Sequence, residues 1–202
     1  MSDYENPIRS ICVYCGSQPG NEEAYVQAGY ALGQAIAEHD LRLVYGGGTR
    51  GVMGAVASGA LSVSGQVLGI IPEFLMDKEA SSKELSALSE VTVTDNMHQR
   101  KHLMFEASDA FVALPGGIGT LEEIVEIMTW GQLGHHTKPM VFGNINGFWN
   151  PMMELLDHMR GAGFIHTAQR VQPLIIDNVK AIIPAILDAR ADAGDLSVIG
   201  NL

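Results

Sequence analysis

The feature that most constrains this chain is a segment that changes periodicity twice within twenty residues. Asp109-Ala-Phe-Val-Ala-Leu114 is an apolar run of strand length. Pro115-Gly-Gly-Ile-Gly-Thr120 is a glycine turn, and Leu121-Glu-Glu-Ile-Val-Glu-Ile-Met128 has helical spacing. Strand, tight turn and helix in that order form half of a βαβ unit. Glycines let the backbone approach a bulky anion, and the first N–H groups of a helix supply donors and partial positive charge. A phosphate-bearing small molecule is therefore the first ligand to test.

The same alternation runs along the whole chain. Strands are expected at Ser10–Gly16, Leu41–Tyr45, Gln66–Ile71, Val91–Thr94, Ala110–Leu114, Pro139–Gly143 and Leu174–Ile176. Helices are expected near Glu22–His39, Val52–Ser64, Asp95 or Asn96 to Ser108, Thr120–Leu133, Phe148–Arg160 and Asn178–Ala193. Pro184 falls inside the last of these. A mid-helix proline costs about 3 kcal/mol, so a kink or a later start is expected. Glu73–Leu88 reads as an irregular loop. The fold class is α/β: one Rossmann-like domain over residues 1–202, with a mostly parallel sheet, helices on both faces and an acidic tail over about residues 1–8.

The chain has 202 residues and a formal charge of −11, which argues against nucleic acid and against an anionic membrane surface. No apolar run is long enough to span a bilayer. The start, Met1-Ser-Asp-Tyr-Glu-Asn-Pro7, is unlike a signal peptide, so a cytoplasmic protein is expected. Cys12 and Cys15 are read as two small buried thiols rather than a metal or redox pair, because no second cysteine pair exists.

A second glycine turn, Gly46-Gly-Gly-Thr-Arg50, follows the second strand and is read either as a phosphate contact or as a packing turn. Neither turn ends in Gly-Lys-Ser/Thr, and no acidic residue closes the second strand. Nucleoside triphosphate loops and dinucleotide oxidoreductases are disfavoured accordingly. Met97-His-Gln-Arg-Lys101 gathers cations at a helix start, where the macrodipole opposes them, and arginine is the natural fork for phosphate. Thr120 and Glu123 have the spacing of a capping box, which would give Glu123 a purely structural task. Spacing alone does not choose between that task and chemistry.

Together these motifs resemble the Lonely Guy family. Pro115-Gly-Gly-Ile-Gly-Thr-Leu-Glu-Glu123 is similar to that family's Pro-Gly-Gly-x-Gly-Thr-x-x-Glu signature, and Met97–Lys101 is similar to its second signature. The resemblance implies hydrolysis of the N-glycosidic bond of a nucleoside 5'-monophosphate, a cytokinin riboside monophosphate or AMP, to free base and ribose 5-phosphate. It implies Arg100 and Glu123 as the catalytic pair. Substrate contacts implied are Glu79, Lys101, Gly116, Gly117, Ile118, Gly119, Thr120, Leu121, Glu122 and Thr129. Plant members commonly carry an aromatic residue at the position of Ile118. The resemblance implies a homodimer, and no metal or cofactor is expected. The alternative is a nucleotide-binding or cofactor-carrying module of the same fold without catalysis.

Overall fold

The computed structural model describes residues 7–80, 85–165 and 173–189, with the side chains of Asp77 and Glu79 excepted. Seven strands form one sheet in which every pairing is parallel. They are β1 Ser10–Tyr14, β2 Arg42–Tyr45, β3 Val67–Pro72, β4 Glu90–Thr94, β5 Ala110–Ala113, β6 Met140–Gly143 and β7 Leu174–Ile176. The spatial order is β4-β3-β2-β1-β5-β6-β7. The chain builds outward from β1 to one edge, returns to the middle and builds to the other edge. The reversal lies between β1 and β5, where Cys12 pairs with Val44 on one side and Phe111 on the other. In open α/β sheets, ligands bind in the crevice at the carboxyl ends of the strands at such a reversal.

Six α-helices are fully bounded within the described residues: α1 Glu23–Glu38, α2 Gly51–Ser62, α3 Glu73–Glu79, α4 Met97–Glu106, α5 Ile118–Gln132 and α6 Asn150–Gly161. The strands β1, β3, β5 and β6 are buried at every position. That is why they read as continuous apolar runs rather than alternating ones. On one face of the sheet, α1, α2 and a helix over 182–189 cover Ile11, Val13, Leu43, Tyr45 and Val112. On the other, α4, α5 and Trp149 cover Cys12, Tyr14, Val44, Phe111 and Phe142.

One expectation changes. Glu73–Glu79 is helical, not irregular; Pro72 ends β3 and fixes the dihedral angle from which α3 starts. The later start expected for the last helix is found: it begins at residue 182 after a 3-10 turn, Val179–Ala181, so Pro184 stands in its first turn, where a missing N–H costs little. The expected tail at residues 1–6, His166 and the reach to Ala193 lie outside the described residues.

Candidate functional site

The turn after β5 leads directly into α5. Gly117 is the N-cap, and its carbonyl accepts the first helical bond from Leu121 N at 3.1 Å. Thr120 is thus the third helical residue and Glu123 the sixth. The capping box implied by the Thr120–Glu123 spacing is absent, because the helix starts three residues earlier than that motif requires. Glu123 is 7% exposed and lies one and a half turns into α5, roughly 9 Å along its axis from the N-cap.

What Glu123 faces comes from α4. Asn96 caps that helix by accepting from Gln99 N at 3.0 Å, and the Gln99 side chain reaches back to Asp95 N at 2.9 Å. This reciprocal cap fixes the start of α4 and so the phase of the residues that follow. Arg100, one turn in, is 5% exposed, and its Nη2 lies 3.7 Å from Glu123 Oε1. That is an ion pair too long for a hydrogen bond. The guanidinium also reaches the Gly46 carbonyl at 3.4 Å and Met97 Sδ at 3.7 Å, while Nε is buried with no hydrogen-bond partner. A buried guanidinium with weak contacts retains donor capacity for an incoming acceptor.

Packing accounts for the glycines at Gly46 and Gly47. A Cβ on Gly46 would stand 1.9 Å from Arg100 Nη2, so this glycine makes the room the guanidinium occupies. Gly47 has φ +76°, and Gly48 N–H donates to Met53 Sδ at 3.2 Å. All three glycines are buried, Thr49 is half-buried and Arg50 is exposed at the N-cap of α2.

The turn after β5 is different. Gly116 packs tightly, since its Cβ would meet Thr120 Oγ1 at 2.2 Å. A Cβ on Gly117 or Gly119 would meet nothing within 4 Å, and neither residue has positive φ. Neither backbone strain nor a protein neighbour explains glycine at those two positions. Both positions are open, and Gly117 serves as the N-cap of α5. Ile118 between them is 81% exposed.

Lys101 has a task the sequence did not reveal. Its ammonium bonds Glu122 Oε1 at 2.5 Å and Glu126 Oε2 at 3.0 Å. Burial alone would lower its pKa; the hydrogen bonds to both carboxylates outweigh burial and leave it raised. Lys101 and Glu122 are thus joined to each other across α4 and α5, beside the Arg100–Glu123 pair. Leu121 and Thr129 face elsewhere. Both line an apolar groove between α5 and α6, with Val125, Met152, Leu156 and Phe164, and Thr129 Oγ1 is bonded to Val125 O. The side chain of Glu79 lies outside what is described.

The two thiols sit on opposite faces of the sheet, both buried and outside any disulfide, and burial pushes both well above the usual thiol range. His136 is a buried staple: Lys138 N–H donates to Nδ1 and Nε2 lies 2.9 Å from Ile127 O.

Comparison with known proteins follows this geometry. The family described as "Possible lysine decarboxylase" matches residues 53–186. A cytokinin riboside 5'-monophosphate phosphoribohydrolase of Rhodococcoides fascians is 44% identical over 179 residues, 88% of this chain and 89% of that protein. A probable enzyme of the same description from Oryza sativa subsp. japonica is 41% identical over 185 residues, 92% of this chain and 79% of that one. Among solved structures, the molybdenum cofactor carrier protein of Chlamydomonas reinhardtii superposes with a TM-score of 0.67 at 24% identity, covering 91% of this chain and 99% of that one. This last likeness is one of fold.

Proposed function

The chain belongs to the cytokinin riboside 5'-monophosphate phosphoribohydrolase family, and on that premise we propose that it hydrolyses the N-glycosidic bond of a nucleoside 5'-monophosphate, either a cytokinin riboside monophosphate or AMP. The observation that carries the reading is the buried Arg100–Glu123 pair beside a glycine turn that is open at Gly117 and Gly119. The 5'-phosphate sits on the N–H groups that open α5, and its binding energy positions the scissile bond.

Water adds its oxygen to the anomeric carbon as the C–N bond breaks, and the departing base takes up a proton. The sugar passes through an electron-poor, oxocarbenium-like state. The Glu123 carboxylate stabilises that charge and orients the attacking water. Arg100 stands 3.7 Å from Glu123 and presents its remaining donors to the substrate. Lys101 and Glu122 act by holding α4 against α5. Thr129 and Leu121 belong to the α5–α6 groove.

That groove supports a homodimer. No residue of α6 is fully buried, although Met152, Met153, Leu155 and Leu156 all lie on it, and Phe164 beside it is 80% exposed. A second copy of the chain is the occupant proposed. Light scattering at micromolar concentration should give twice the 21.7 kDa chain mass, and a monomer would reject this occupant.

The activity is tested by incubating the protein with AMP and with isopentenyladenosine monophosphate and assaying for free base and ribose 5-phosphate. Release of both products supports hydrolysis; tight binding without products would point to the carrier-type alternative. Arg100→Ala should stay folded and lose turnover, and unchanged turnover would remove Arg100 from the mechanism.

A further inference from the structure

The described cations nearest the nucleotide seat are largely committed. Arg100 faces Glu123, and Lys101 is held by Glu122 and Glu126. A phosphate dianion on the start of α5 therefore needs charge from elsewhere. The turn after β1 supplies a candidate wall. Gly16 N–H donates to Pro115 O at 3.1 Å, and a Cβ on Gly16 would stand 3.2 Å from Gly116 Cα, so the turns after β1 and β5 touch. On its other side the same turn abuts α2. Gly16 O accepts from Met53 N at 3.0 Å, and a Cβ on Gly51 would lie 2.6 Å from both the Ser17 carbonyl carbon and Gln18 N. Ser17 is thus wedged between the N-termini of two long helices, α2 and α5.

Three polar side chains here make no hydrogen bond or ion pair with any described residue. Ser17 is half-buried. Arg50 stands at the N-cap of α2, next to Gly51, and does not cap it. Thr120, only 4% exposed, turns its hydroxyl toward Gly116. The residue is enclosed, but its unpartnered hydroxyl is not among the fully enclosed polar atoms, so it keeps an opening through which a ligand can reach it. That observation is independent of the helix ends and marks the spot as a binding position.

We propose that the phosphate seat has two walls: Gly117–Thr120 at the start of α5 form one, and Ser17 with Arg50 form the other, Ser17 donating its hydroxyl and Arg50 supplying the countercharge. A guanidinium carries several donors and is a natural phosphate partner. The inference rests on the reading of the substrate as a nucleoside 5'-monophosphate. It adds two residues from two other strand-to-helix turns to a site otherwise built from α4 and α5.

The test compares equilibrium binding of AMP with binding of adenosine, which lacks only the phosphate. Ser17→Ala and Arg50→Gln should each weaken AMP by about 10-fold, the value of one charge-assisted hydrogen bond, and leave adenosine unchanged. Ser17→Thr, which keeps the hydroxyl, should bind AMP as the parent does. The Arg50→Gln loss should shrink as salt rises, because an exposed charge is screened. Equal weakening of AMP and adenosine, or no weakening of AMP by either variant, overturns the proposal. So does a parent protein that binds AMP no more tightly than adenosine. Binding is measured apart from turnover, so a protein that binds AMP through Ser17 and Arg50 yet releases no base would support this seat while refuting the hydrolase reading.

Discussion

The two helix seams on opposite faces of the sheet are built by opposite means. Between α1 and α2, glycines bring backbone against backbone. A Cβ on Gly33 would stand 2.0 Å from Val56 O, and one on Gly59 would stand 2.0 Å from Tyr30 O. The surrounding side chains, Leu32, Ile36, Val56 and Ala60, are apolar and fully buried. Between α4 and α5 the contact is made by Arg100, Lys101, Glu122, Glu123 and Glu126. The first seam gains from close packing and tolerates no added volume. The second buries charge, which packing alone would not favour. A fold that has shown it can join two helices with glycine and alanine does not need ion pairs for the same purpose. The charged seam is where chemistry is expected.

Substitutions can break that contrast. The largest effect is expected at Glu123→Gln, which keeps the shape and removes the charge. Turnover should fall by about 10²-fold or more while AMP affinity holds, as read by steady-state kinetics beside calorimetry. Preserved turnover would make the charged seam structural after all. Next is Gly33→Ala, which should cost about 3 kcal/mol in chemical denaturation, at the upper end for overpacking, because its new methyl meets backbone that cannot rotate away. A neutral result would mean that α1 and α2 are less tightly apposed than described.

Smaller effects should sharpen the picture. Lys101→Met removes the hydrogen bonds to Glu122 and Glu126 and should cost about 1–2 kcal/mol near neutral pH. The Lys101 pKa is raised on folding, so its contribution is complete below the usual lysine value and disappears as pH climbs through the raised one. The stability gap between parent and variant should therefore stay constant through neutral pH and close above about pH 10.4. A gap that widens with pH would contradict the assignment. The smallest effect is at the thiols. Cys12 and Cys15 are buried and stay protonated, so iodoacetamide should leave the folded protein unmodified by mass spectrometry.

Much of the architecture was legible because a parallel sheet writes itself in apolar runs. β7 spans Leu174–Ile176 as expected, and other strand ends moved by a residue or two. The helix Glu73–Glu79 was missed because its mixture of Phe74, Leu75, Met76 and charges lacks a clear buried stripe. In the site, the phosphate-style turn and the cationic start of α4 were visible as local conflicts. Their meeting was not, since Arg100 and Glu123 are 23 positions apart in the sequence and join through tertiary packing. The ion pairs of Lys101 were hidden for the same reason: its partners lie on another helix. The place of Ser17 was not legible, because its position between two helix ends exists only once β1 lies between β2 and β5.

The absent side chain at Gly46 carries a consequence of its own. One methyl group there would claim the volume now filled by the Arg100 head and evict it, with every charged residue of the seam still in the sequence. A position outside the charged seam thus decides where the Arg100 head can stand. Among relatives, an occupied position here would mark a silent copy whose signature motifs still look intact.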